Sequence, residues 1–169
     1  MDQNEKEKKR KAWVRFRVMD VLRNHDQEAR VIESQIAAER AALAEDLKEI
    51  LESAFPSSQL SDAGVRVQSS PDPDARMVNM VTRTEKRRNT ADRRIGALER
   101  QAQQIEDVLS AILDMDSQSK CVLLALYYPF RSYKEAADSL HMAKATIYRQ
   151  RKTALDSLFA TMYKSDSFR

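Results

Sequence analysis

The chain has 169 residues, enough for one ordinary domain or two small ones. Hydrophobic residues make up 42% and charged residues 33%, with only 2 glycines and 4 prolines. That mix, rich in Ala, Leu, Glu, Lys, Arg and Gln, favours helices and argues against a sheet protein. The single cysteine, Cys121, excludes a disulfide framework within one chain and suits a reducing cytoplasm. The N-terminus is charged and lacks the apolar core of a signal peptide. No run approaches the roughly 18 apolar residues of a membrane span. A cytoplasmic protein with no membrane partner is therefore expected. The net charge of +3 is small but unevenly placed. "KEKKRKAWVRFR" and "RTEKRRNTADRR" are basic, as is the stretch from Lys144 to Lys152, whereas the region from Asp26 to Glu52 is mostly acidic.

From about Glu5 to Phe55 there is no proline or glycine. Val14, Val18, Leu22, Ala29, Ile32, Ile36, Leu43, Leu47, Ile50 and Ala54 recur in steps of three and four. They describe one narrow helical stripe, interrupted near His25 and Glu39. Pro56 to Ala75 is rich in Pro, Ser and Asp and reads as a linker, with "VRVQ" a weak extended piece and Asp72 and Asp74 as turn or capping residues. A second long helix is expected from about Ala75 to Met115. Its stripe is Val81, Thr84, Arg88, Ala91, Ile95, Leu98, Ala102, Ile105, Leu109 and Ile112. Arg88 on that stripe suggests a looser end near the linker. Two helices of similar length joined by one linker most simply fold back as an antiparallel, coiled-coil-like hairpin, or pair between chains.

"DMDSQSK" breaks the stripe, and Asp116 or Ser117 is a plausible N-cap. "KCVLLALYY" then reads as a buried helix stopping at Pro129, with Cys121 a small buried apolar residue in it. Next, "SYKEAADSLHMAKATIYRQRKTAL" reads as two short helices around a tight corner. Ser132 and Glu135 form a capping box that starts the first, which runs to Leu140. The second runs from about Ala143 to Met162, with Ile147, Ala154, Leu155 and Leu158 inward. A helix-turn-helix needs a small residue where its helices touch, apolar residues flanking the corner and an apolar anchor on the second helix. Ala137, Leu140 with Met142, and Ile147 meet those needs. The outer face is left with Lys144, Ala145, Tyr148, Arg149 and Lys152, and Thr146 lies near the helix start. Arg149 suits a guanine edge, Lys144 and Lys152 suit phosphates, and Tyr148 and Thr146 suit a base methyl or a phosphate. Any basic amphipathic helix exposes Lys and Arg as a solvated face. The capping box, Ala137, the corner length and the T-I-x-R pattern together favour DNA binding over that reading.

This stretch, from "DSQSK" through Leu158, resembles region 4 of sigma factors, the C-terminal promoter-reading region. The shared pattern comprises Ser132, Glu135, Ala137, Thr146, Ile147, Arg149, Ala154, Leu155 and Leu158. Together with a long helical N-terminal part, it is similar to the small sigma-like regulators of Gram-positive phages and prophages, the ArpU and RinA type late transcription activators among them. The motif covers roughly the last 45 residues. "VRVQSSPDPDARM" also resembles, weakly, a linker of some such phage proteins. Two residues depart from the pattern. His141 stands where glycine is common, at a cost of roughly 1 kcal/mol in a left-handed conformation. Ala143 stands where a serine caps the recognition helix, forfeiting about 1 kcal/mol. No segment matches the sigma regions that bind the −10 element or melt DNA.

The expected fold is all-α: residues 1–115 a long two-helix hairpin with its linker at about 56–75, and residues 116–169 a helix-turn-helix DNA-binding domain. The expected function is sequence-specific regulation of phage or prophage transcription in a bacterial host, in association with its nucleoid. Double-stranded DNA is the first partner, with host RNA polymerase and a second copy of the chain as further candidates. The basic N-terminal segment, with Trp13 and Phe16 among its cations, offers a second nucleic-acid contact or a polymerase-docking surface. Its simpler reading is a frayed helix with a hydrophobic anchor. "RTEKRRNTADRR" reads as a solvated helix face. No catalytic residue, cofactor or metal ligand is expected: His25 and His141 are far apart in sequence, and there is no glycine-rich phosphate loop and no nucleophile beside a base. Two other classes fit a helical protein with this motif. One is a small terminase-like packaging protein, which would form large rings. The other is a coiled-coil adaptor, which would show no sequence preference on DNA.

Overall fold

The computed structural model describes residues 3–54, 73–128 and 131–168. Every element in them is helical: α1 (Gln3–Ala54), α2 (Pro73–Leu113), α3 (Ser117–Tyr127), α4 (Tyr133–Leu140), α5 (Lys144–Lys164) and a closing 3-10 turn (Asp166–Phe168). Nothing between Gln3 and Ala54 lacks an N–H or a Cβ, so α1 runs unbroken through its basic start. α2 opens on Pro73, where a missing N–H goes unnoticed. Asp74 lies in its first turn, while most of the expected linker, with "VRVQ" and Asp72, is outside the described residues, as is Pro129. No described helix is long and apolar enough to cross a membrane.

The chain forms two compact units, one of residues 1–31 and 100–169, the other of residues 32–99. The boundary expected between residues 115 and 116 falls inside the first. In the second unit, Ile32, Ile50 and Ala91 are buried, and Ile36, Leu43, Leu47, Ile95 and Leu98 are half-buried. Arg94 pairs with Glu39 at 3.3 Å, Arg87 with Asp46 at 3.2 Å and Arg40 with Glu99 at 3.7 Å. As the numbers rise along α1 they fall along α2 for the first two pairs, so the segments run in opposite directions there. Each is an exposed pair worth about 0–1 kcal/mol, so they set register more than stability. Val81 and Arg88 are exposed, in keeping with a looser end at the start of α2.

The first unit holds the larger core. Val14, Val18, Val21 and Leu22 of α1 are buried, with Ile105, Val108 and Ile112 of α2, Leu123 and Leu126 of α3, and Leu158 and Met162 of α5. His25, where the stripe was expected to break, is itself buried and stacks on Tyr128 with ring centroids 4.3 Å apart. Cys121, expected inside, is exposed. The buried face of α3 is Ser119, Val122, Leu123 and Leu126. A run that is apolar all round hides that period, and Cys121 falls between its turns.

No local signal in the sequence marks how residues 165–168 are tied down. The closing turn buries Phe168, whose ring meets Trp13 edge-on at 5.9 Å. Gln104 donates to the Ser167 carbonyl at 2.7 Å and accepts from Arg17 Nε at 2.9 Å. Asp107 accepts from the hydroxyls of Ser165 and Ser167. Burial alone would push its carboxyl up, but those bonds and one from Gln103 outweigh it and hold Asp107 below the usual aspartate value. Arg10 donates to the Tyr163 carbonyl at 3.0 Å. Removing the Phe168 ring empties a packed site, so Phe168→Ala should lower unfolding stability by about 3–5 kcal/mol, read from urea denaturation. An unchanged midpoint would show that the turn contributes nothing.

Candidate nucleic-acid interface

The corner between α4 and α5 is built by local chemistry. Ser132 accepts from the Glu135 N–H at 3.2 Å, and Glu135 Oε2 accepts from the Ser132 N–H at 2.7 Å, closing the capping box. α4 ends at His141, at φ 52° and ψ 41°, the left-handed conformation where glycine is the easier residue. The N–H groups of His141 and Met142 return to the carbonyls of Asp138 and Ala137 at 3.4 and 3.0 Å, so the end of α4 is not left unbonded. Ala143 takes the extended N-cap conformation of α5 but has no side chain to accept a bond.

Behind the corner, Val122, Leu126, Ala136, Ala137 and Ile147 form one buried cluster, with Tyr133, Leu140 and Met142 packed against it. Ala136 is buried even more completely than Ala137, the small residue picked out from the sequence. Ile147 is fully buried, which stabilises the packing by about 1.5–3 kcal/mol. It also sets the rotation of α5, because every residue's direction follows from the one that is inside.

Of the six residues singled out on α5, Lys144, Ala145, Tyr148, Arg149 and Lys152 are exposed, and Thr146 is half-buried beside the corner. Tyr148 does not project freely. Its ring stacks on Tyr133, with centroids 4.1 Å apart and planes at 20°. It is still 48% exposed. Arg151, between these residues in sequence, points the other way. Its Nε and Nη2 both donate to the Tyr127 hydroxyl, at 3.0 and 2.7 Å, which fastens α5 to α3. Helical spacing from Ile147 is enough to separate Arg149 from Arg151, but only the fold shows that Arg151 is a structural cation.

Three cations of α5 have no carboxylate partner among the described residues: Arg149 and Lys152 on its exposed side, and Lys144 exposed in its first turn. Such a face can neutralise phosphates and offer a planar guanidinium to a base edge. Compared with protein-family models, curated proteins and solved structures, the chain matches none.

A side-chain cap at the start of α5 should help. Ala143→Ser is expected to add about 1 kcal/mol of stability, seen as a higher urea midpoint. An unchanged or lower midpoint would mean that the start of α5 does not hold the N-cap conformation. The capping box also titrates. The bond from the Ser132 N–H holds Glu135 below the usual glutamate value. A depressed carboxyl contributes stability that is present above its unfolded value and lost as pH falls through the folded one. The stability gap between the parent and Glu135→Gln should therefore be fullest near neutral pH and close below about pH 4. A gap that stayed constant with pH would rule out the carboxylate as its source.

Proposed function

We propose that the chain is a sequence-specific DNA-binding regulator of phage or prophage transcription, with α4 and α5 as a helix-turn-helix and α5 as the helix that enters the major groove. One observation carries this reading. The left-handed His141 corner and the buried Ile147 leave Arg149 and Lys152, with no carboxylate partner among the described residues, on one exposed face of α5, and Lys144 exposed at its start. In such a motif the N-terminal residues of the second helix meet base edges. Arg149 lies a turn and a half into α5, where a bidentate contact to guanine is the commonest specific one. Tyr148, steadied by Tyr133, offers a rigid ring for a thymine methyl or a phosphate. Lys144 and Lys152 hold phosphates on either side. The residues from Ser132 to Leu158 that resemble region 4 of sigma factors support the same reading. So does the all-helical fold, whose long N-terminal helices are the part we assign to host RNA polymerase or to a second copy of the chain.

The test is enrichment of sheared host and prophage DNA on the purified chain, sequenced at low and near-physiological salt. A few sites that survive the higher salt are expected, and uniform recovery that vanishes with salt would overturn the proposal. On the enriched site, Arg149→Ala should cost about 1–3 kcal/mol and relax preference at one base position. If Tyr148→Ala combined with Arg149→Ala leaves specific binding intact, α5 is not the reading helix.

A further inference from the structure

We infer that the first turns of α1 continue the DNA contact begun by α5, with Lys8 and Arg15 holding the phosphate backbone beside the groove that α5 enters; this rests on the proposed reading of α5. The side of α5 that carries Arg149 continues past Lys152 to the exposed Asp156 and the half-buried Phe159 and Tyr163. Ala145, Arg149, Lys152, Asp156, Phe159 and Tyr163 follow one another in steps of three and four. They form one row along the helix, which starts on the side away from the buried Ile147 and Ala154 and ends at Phe159 and Tyr163 beside the buried Leu155 and Met162. At 1.5 Å per residue, Phe159 lies about 15 Å beyond Arg149 and Tyr163 about 21 Å beyond it. The major groove is only about 12 Å wide. Where the start of α5 is on the bases and its axis crosses the groove, its second half reaches a sugar–phosphate strand.

That is where α1 crosses the row. The Arg15 guanidinium sits 5.6 Å from the Phe159 ring centroid, and the Lys11 ammonium sits 5.6 Å from that of Tyr163. Between the two helices runs an open groove of about 850 Å³, with four cations in its lining, Lys8, Lys11, Arg15 and Lys164, against two carboxylates, Glu7 and Asp156. Lys11 is paired with Glu7 at 2.6 Å. Lys8 and Arg15 have no carboxylate partner among the described residues. They stand two turns apart on one face of α1, about 10 Å along its axis, and Arg15 is held in place by Phe159 rather than neutralised. Cations so placed, continuous with the row that carries Arg149, fit a second stretch of the same duplex better than a separate acidic protein, which would have no reason to share that row. Asp156 lies in the row between the two cationic groups and opposes the phosphates.

The experiment uses the full chain and two duplexes of about 30 base pairs, one carrying the most enriched site and one with its sequence scrambled. Dissociation constants are measured by fluorescence anisotropy from 50 to 300 mM salt. Each lost phosphate contact lowers the slope of log K against log salt by about 0.9. Lys8→Gln combined with Arg15→Gln should therefore flatten the slope by about 1.8, weaken both duplexes alike and keep the preference for the enriched site. Asp156→Asn should act in the opposite direction and tighten both duplexes several-fold, an arm that does not depend on the double variant folding. If the parent prefers the enriched duplex but neither change alters affinity or slope, the inference fails and α5 alone makes the contact. A loss confined to the enriched duplex would mean that these side chains read bases, which also overturns it. If the parent shows no preference between the duplexes, the reading of α5 falls and this inference with it.

Discussion

Burial of Ile147 is the constraint on which the exposed face of α5 depends. A helix has one rotational freedom about its axis, and a single well-packed apolar residue removes most of it. Once Ile147 is inside with Val122, Leu126, Ala136 and Ala137, the directions of Tyr148, Arg149 and Lys152 follow from 100° steps. The far end is fixed independently. Met162 and Phe168 are buried there, and Arg10 bonds the Tyr163 carbonyl. α5 is thus held at both ends.

The same fold sorts the cations by role. Arg17 lies against Asp20, Glu28 and Gln104 with its side chain only 11% exposed, and Arg151 donates from both Nε and Nη2 to Tyr127. These are fastenings, and removing one would leave buried polar groups without partners, which costs more than the bond contributes. Arg87 and Arg94 set register in the second unit. Lys8, Arg15, Lys144, Arg149 and Lys152 have no such duty. A net charge of +3 says little about partners because it adds these classes together.

The corner concentrates the local compromises. A histidine in the left-handed region and an alanine at an N-cap each forgo about 1 kcal/mol. Both sit within three residues of each other, and both neighbouring helices are sound without them. The capping box secures α4, and the Ala136–Ala137–Ile147 contact secures α5. Packing therefore over-determines the turn, which is how backbone strain persists in a folded chain.

Local signals in the sequence were enough for the elements. The capping box at Ser132, the N-cap at Asp116, the left-handed His141, the uncapped Ala143 and the ends of the helices near residues 54, 113 and 140 all depend on residues within a turn of one another. So does the outward direction of Arg149 relative to Ile147. Tertiary structure alone decided what depends on distant residues meeting. It grouped residues 1–31 with 100–169. It drew Phe168 into the core, put Tyr133 under Tyr148 and turned Arg151 to Tyr127. It exposed Cys121, which an all-apolar run had suggested was inside, and it laid Lys11 and Arg15 across the aromatic end of α5. The division has a physical cause. Caps, turns and helical period are set by bonds a few residues long, which a sequence spells out. The partner of a long side chain is set by which surfaces pack, and periodicity marks only the face that will be covered, not what will cover it.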